Sequence, residues 1–129
     1  KRQVYDWSLK WIDQIANEVS DQVPVILYAK APSDRLKLFS KSKVSGISVD
    51  HKTDLEFARK SLPSGFTLQG NLDPALLESE PEIVKNTTLD LLNKMKGDPG
   101  HILNLGHGIR PQAKIECMHA LVQTVQEFN

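Results

Sequence analysis

Cysteine is nearly absent, with Cys117 alone among 129 residues. A single thiol excludes an internal disulfide and any zinc site built on several thiolates, and it suits a reducing cytosol. Net charge is missing as well. Sixteen Lys and Arg cancel sixteen Asp and Glu, so no long-range field favours nucleic acid or an anionic membrane surface. Long apolar runs do not occur. The longest, from Val23 to Ala29, is interrupted by Pro24 and Tyr28, far short of the roughly 18 residues that suggest a membrane span. The opening Lys-Arg-Gln-Val-Tyr-Asp-Trp has no apolar stretch of the kind a secretion signal needs. No Gly- or Ser-rich linker and no low-complexity segment divides the chain. It starts at Lys1 instead of an initiator methionine, which raises the expectation of a longer parent protein.

The residues present describe a globular unit: 40 % are apolar and 25 % charged, and the length suffices for one core. Val4, Trp7, Trp11, Ile15 and Val19 recur at three- and four-residue intervals, widened by Leu9 and Ile12, and predict an amphipathic helix. Val25–Ala29 follows as a continuous apolar run, the pattern of a strand buried on both faces. The same helix-then-strand unit then repeats. Pro32-Ser33-Asp34 starts a helix through Leu36, Leu38 and Phe39, Gly46–Asp50 reads as a strand, and Thr53 is placed to cap a helix from Asp54 to Leu62. Phe66–Gly70 is the third strand. It is followed by a short helical turn at Asp73–Leu77 and a longer helix from Glu82 to Lys96, with Val84, Leu91, Leu92 and Met95 on one face. Gly97-Asp98-Pro99-Gly100 marks a turn. A fourth strand, His101–Leu105, precedes a last helix from Ala113 to Phe128, whose apolar positions are Ile115, Met118, Leu121, Val122 and Val125. Strands alternating with helices through short loops predict a parallel sheet.

Parallel α/β sheets bind ligands at the carboxyl ends of their strands. The polar residues found there are Lys30, then Asp50 and His51, then Gln69 and Asn71, then Asn104 and His107. Each also has a plainer role available. Lys30 could be a solvated loop residue, Asp50 a helix cap, and Gln69 and Asn71 partners for backbone groups in a tight turn. Asp73 before Pro74 reads as an N-cap with proline at the first helical position. His51, His101 and His119 are scattered, and Cys117 beside Met118 reads as a small packing residue. The densest group is Asn104-Leu105-Gly106-His107-Gly108. Its glycines permit positive φ angles and leave the imidazole uncrowded, where it can donate to a carboxylate or move a proton near neutral pH. No His or Cys pair has zinc-site spacing, and no Gly-rich phosphate loop occurs.

Leu68-Gln69-Gly70-Asn71-Leu72-Asp73-Pro74, followed by His101-Ile102-Leu103-Asn104-Leu105-Gly106-His107-Gly108-Ile109, resembles the carboxyl-terminal region of the uroporphyrinogen decarboxylase family. Val25 to Lys30, similar to that family's apolar strand ending in Ala-Lys, precedes them in the right order. The likeness spans nearly the whole chain. It implies an α/β fold of the (β/α)8 TIM-barrel type, with residues 1–129 forming about the last four βα units of a single barrel domain. A whole barrel takes about 250 residues. It also implies a cofactor-free cytoplasmic homodimer of haem and porphyrin biosynthesis, a lyase removing the four acetate carboxyls of uroporphyrinogen III to give coproporphyrinogen III. Neither nucleic acid, membrane nor metal enters that picture.

The family's histidine in Leu-Gly-His-Gly contacts substrate, and it corresponds to His107. No other family active-site group corresponds to a residue of this chain: the aspartate that holds the pyrrole nitrogens, the carboxylate-binding arginines, a tyrosine and a serine would all lie before Lys1. The expectation is therefore that the chain alone is inactive. Two departures alter loops near the cleft. Ala31-Pro32-Ser33 stands where the family has a glycine-containing loop, and His51 stands where a tryptophan follows the aspartate. The similarly folded zinc-dependent corrinoid methyltransferases use a histidine and two cysteines, a set this sequence lacks. The alternative readings are a self-contained, non-catalytic α/β binding module and an inactive truncated relative.

Overall fold

The computed structural model describes residues 5–28 and 36–128. A π-helical turn, Tyr5–Leu9, runs into α1, Lys10–Val19. The strands are β1 (Ile26–Tyr28), β2 (Gly46–Ser48), β3 (Thr67–Gln69) and β4 (His101–Ile102). Between them lie the single turn α2 (Leu36–Phe39), α3 (Leu55–Ser61), a 3-10 turn (Pro74–Glu78) and α4 (Pro81–Lys94), and α5 (Ile115–Glu127) closes the chain.

All four strands are parallel, and each pairs with the next one in sequence, in the order β1-β2-β3-β4. A doubly wound sheet reverses this order at a switch point, whereas a barrel keeps adding strands in one direction. The observed order is that of a barrel arc.

Register decides what each side of the arc carries. Leu27, Ile47 and Leu68 form one row across three strands, and side chains alternate faces along a strand. Ile47 and Leu68 are fully buried and belong to one core with Leu36, Phe39, Ala58, Leu77, Val84 and Cys117, while Leu27 packs against it. The adjacent row, Tyr28, Ser48, Gln69 and Ile102, faces the opposite way. Its outer members Tyr28 and Ile102 are exposed, as is Ile26. Strand β1 is therefore an edge strand with one bare face, not the doubly buried strand its apolar run suggests. Among the described residues nothing pairs with the outer edge of β1 or of β4.

Several boundaries differ from the sequence reading for local reasons. Asp54, and not Thr53, caps α3: its Oδ1 accepts from Phe57 N at 2.7 Å. Thr53 instead donates its hydroxyl to Asp50 Oδ1 at 2.9 Å. Asp73 caps the 3-10 turn as expected, accepting from Ala75 N at 2.9 Å with Pro74 at the first position. Strand β4 ends at Ile102, and only an isolated bridge from Leu72 to Leu105 continues it. The π-helical turn and α1 together carry two apolar stripes. Leu9 and Ala16 are buried and Ile12 packs on the core, whereas Trp7, Trp11 and Ile15 are 76 %, 54 % and 63 % exposed. In α5 the buried positions are Cys117, Leu121 and Thr124, while Ile115, Val122 and Val125 face solvent. The start of the second predicted helix, Pro32-Ser33-Asp34, and Val4 lie outside the described residues.

Candidate functional site

A cleft of about 550 Å³ opens at the carboxyl ends of the strands. Its floor is the in-register row Tyr28, Ser48 and Gln69; its wall is the segment after β4, from Leu103 through Asn104, His107 and Ile109. Met118 and Leu121 of α5 complete the lining. Gln69 Nε2 donates to Ser48 Oγ at 3.1 Å, which fixes the amide across β2 and β3. Asn104 Oδ1 accepts from Leu105 N at 2.8 Å, so this side chain shapes its own loop as well as lining the cleft. The His107 imidazole is exposed and makes no hydrogen bond among the described residues. It is free to donate to an incoming acceptor.

The surroundings of His107 explain its placement. Gly106 is buried, and its N–H donates to Leu72 O at 2.8 Å. Neither Gly106 nor Gly108 adopts a positive φ; that conformation belongs to Gly65, Gly70 and Gly97. The expected torsional role of the flanking glycines is thus replaced by a steric one at Gly106. A Cβ there would overlap His51 N, a clash that backbone atoms cannot relieve without moving a loop. A Cβ on Gly108 would enter open space.

The remaining candidates separate from His107. Asn71 serves the backbone, its Nδ2 donating to Asp50 O at 2.7 Å and Thr53 O at 2.6 Å. Asp50 accepts from Lys52 N at 3.1 Å and so closes its own turn instead of capping α3. His51 and Asp73 line a different space, about 860 Å³, between α3 and α4. His101 Nε2 sits 2.8 Å from Gly70 O, a structural contact. His119 is exposed on α5. Cys117 is buried, with its thiol donating to Ser79 O at 3.4 Å, as befits a packing residue. Lys30 lies outside the described residues. Tyr28 and Ser48 were not singled out in the sequence as site residues. Their signal is the shared register row with Gln69, which becomes visible only once the strands are paired.

The cleft lining holds no Lys, Arg, Asp or Glu side chain among the described residues. It offers neutral hydrogen-bonding groups and one imidazole beside an apolar wall, a surface suited to an organic ligand with polar groups. No group of three or more His, Cys, Asp or Glu side chains is placed to hold a metal among the described residues. No helix among them is long and apolar enough to cross a membrane.

A family model described as uroporphyrinogen decarboxylase matches residues 1–128. The chain belongs to the uroporphyrinogen decarboxylase family. It is 38 % identical over 128 residues to the uroporphyrinogen decarboxylase of Coxiella burnetii, an overlap covering 95 % of this chain and 36 % of that protein. The corresponding protein of Ruthia magnifica is 33 % identical, covering 100 % of the chain and 39 % of the relative. That of Synechococcus is 37 % identical, covering 94 % and 35 %. The chain spans a little over a third of the length of these curated relatives. Uroporphyrinogen decarboxylases are TIM barrels, and four parallel strands in chain order are consistent with part of such a barrel.

Proposed function

We propose that residues 1–129 form the carboxyl-terminal part of the single barrel domain of a uroporphyrinogen decarboxylase, and that His107 contacts its substrate. The enzyme acts in porphyrin biosynthesis in the cytoplasm as a homodimer, without a cofactor. The observation that carries this reading is the family match across the chain, joined to an unpartnered imidazole at the carboxyl end of β4.

The chemistry is four successive replacements of a side-chain carboxyl by hydrogen. Protonation of a pyrrole ring makes it a cationic electron sink. The bond between the acetate methylene and its carboxylate breaks, carbon dioxide leaves, and the electron pair enters the ring. A proton added to the methylene carbon makes a methyl group, and loss of the first proton restores the pyrrole. The role of His107 is to donate a hydrogen bond to a substrate carboxylate, a charge-assisted contact that fixes orientation. The described lining of the cleft supplies no cation for the other carboxylates of the substrate. Those groups belong to the rest of the barrel.

The test is a chimera in which this chain replaces the matching segment of the Coxiella burnetii relative. The expected result is conversion of uroporphyrinogen to coproporphyrinogen by the chimera, measured after oxidation to the fluorescent porphyrins, and none by the 129-residue chain alone. A folded chimera without turnover overturns the assignment, and turnover by the isolated chain overturns the claim that its site is incomplete.

A further inference from the structure

We propose that Gly106 and Asn71 are positioning residues, which hold His107 at the mouth of the cleft by clamping the loop after β4 onto the turn after β2. This goes beyond the assignment of His107 and rests on it.

Three segments meet at one point: the turn Asp50–Thr53 after β2, Asn71–Leu72 after β3, and Leu105–His107 after β4. Asn71 is 8 % exposed and spends both amide protons on that turn, one on Asp50 O and one on Thr53 O. The turn is also closed from within by the Asp50 carboxylate, which takes Lys52 N and the Thr53 hydroxyl. Its backbone at Asp50–His51 is therefore held rigid, and Gly106 lies directly on it. A Cβ on Gly106 would overlap His51 N and lie 2.7 Å from both Asp50 C and His51 Cα. All three are backbone atoms, so no side-chain rotation relieves the overlap. On its other flank Gly106 N bonds to Leu72 O, and Leu72 N bonds to Asn104 O at 3.0 Å.

The residue preceding His107 is thus wedged between two backbones, while a Cβ on Gly108, the residue following it, would meet nothing within 4 Å. One flank sets the height of the imidazole above the strand ends and the other leaves it open to ligand. A donor must lie within a fraction of an ångström of its working position to select one carboxylate. The clamp supplies that constraint from three separate strands, through backbone contacts that only glycine at 106 and a two-proton donor at 71 satisfy together.

The test is carried out on the isotope-labelled chain within the chimeric barrel, with uroporphyrin as the probe. The expected result is that Gly106→Ala moves the His107 imidazole resonances and weakens porphyrin binding about tenfold or more. His107→Ala should weaken it as much, with no further loss when the two are combined. His119→Ala should stay within about twofold of the unsubstituted chain, because His119 is exposed on α5 and does not line the cleft. Asn71→Asp keeps the shape but turns both donors into acceptors, and should shift the imidazole as Gly106→Ala does.

Unmoved imidazole resonances in a folded Gly106→Ala chain, or binding equal to that of His119→Ala while His107→Ala is impaired, overturns the clamp and leaves the substrate contact standing. Unchanged binding in His107→Ala, or no porphyrin-induced change at His107 in the unsubstituted chain, overturns the substrate contact instead. Should Gly106→Ala fail to fold, amide exchange in the unsubstituted chain decides: slow at Gly106 and fast at Gly108 supports the clamp, and fast exchange at both overturns it.

Discussion

His107 and Asp73 illustrate two kinds of polar residue at a strand end. His107 spends none of its hydrogen-bonding capacity on the described residues, whereas Asp73 spends its Oδ1 on Ala75 N. In the barrel enzyme, His107→Ala is expected to remove one contact to a charged group. Such a contact contributes about 1.5–3 kcal/mol, which corresponds to a roughly ten- to hundredfold fall in kcat/KM with folding preserved. Steady-state kinetics alongside a thermal melt checks it. Asp73→Ala is expected to act the other way round, lowering stability by about 1 kcal/mol through the lost cap while kcat/KM holds. A shift of the urea midpoint with an unchanged slope would register that loss. Asp73 was legible in the sequence because a cap is a local device, spelled by an acidic residue before proline. The destination of Asn71 was not, since its partners Asp50 and Thr53 sit on a different strand's turn.

Elements are held together at their ends as much as along their faces. Lys114 stands at the N-cap position of α5 and Glu80 at that of α4, and Lys114 Nζ meets Glu80 Oε1 at 2.9 Å. Lys114 N also donates to Leu77 O at 2.8 Å. A cation is ill-placed at the positive end of a helix, and the Glu80 carboxylate offsets this. The hydrogen bond to Glu80 is the main cause of a Lys114 pKa raised above its ordinary 10.5, with burial opposing it. Because the folded value is the higher one, the stabilising contribution is complete below the unfolded pKa and disappears as pH rises through the folded value. Glu80→Gln is expected to lower the Lys114 titration midpoint and to flatten the alkaline limb of the stability profile. An NMR titration of the lysine side chain, compared with melts from pH 9 upward, tests both halves of this expectation; an unmoved midpoint sinks it. Helix α1 teaches a different lesson. Trp7, Trp11 and Ile15 keep helical spacing, yet the stripe that docks is Leu9, Ile12 and Ala16. Periodicity finds a helix with two apolar stripes, but only the tertiary core selects which one is buried.

For the whole molecule the governing fact is an arc of four strands with bare outer edges among the described residues. Unpaired parallel edges expose backbone donors and acceptors, and Ile26, Tyr28 and Ile102 add apolar surface on the strands themselves. The expected consequence is graded protection from hydrogen exchange: slow amides in the central strands β2 and β3, faster ones in β1 and β4. Incorporating the chain into the chimeric barrel should then slow exchange at β1 and β4 selectively. Equal protection across all four strands in the isolated chain would mean that the margins are shielded after all, as in a self-contained α/β module.

The sequence alone determined the alternation of strands and helices, the caps and turns spelled by neighbouring residues, the family, and the position of His107 beside a strand end. These are encoded in short-range order: periodicity, dipeptides such as Asp73-Pro74, and motifs read without folding the chain. Tertiary structure alone decided the strand order, the register row that joins Tyr28 and Ser48 to Gln69, which face of α1 is buried, and the seating of Gly106 on the Asp50–His51 backbone. Each of those depends on atoms brought together from distant parts of the chain, and neither spacing nor composition carries a distance in space.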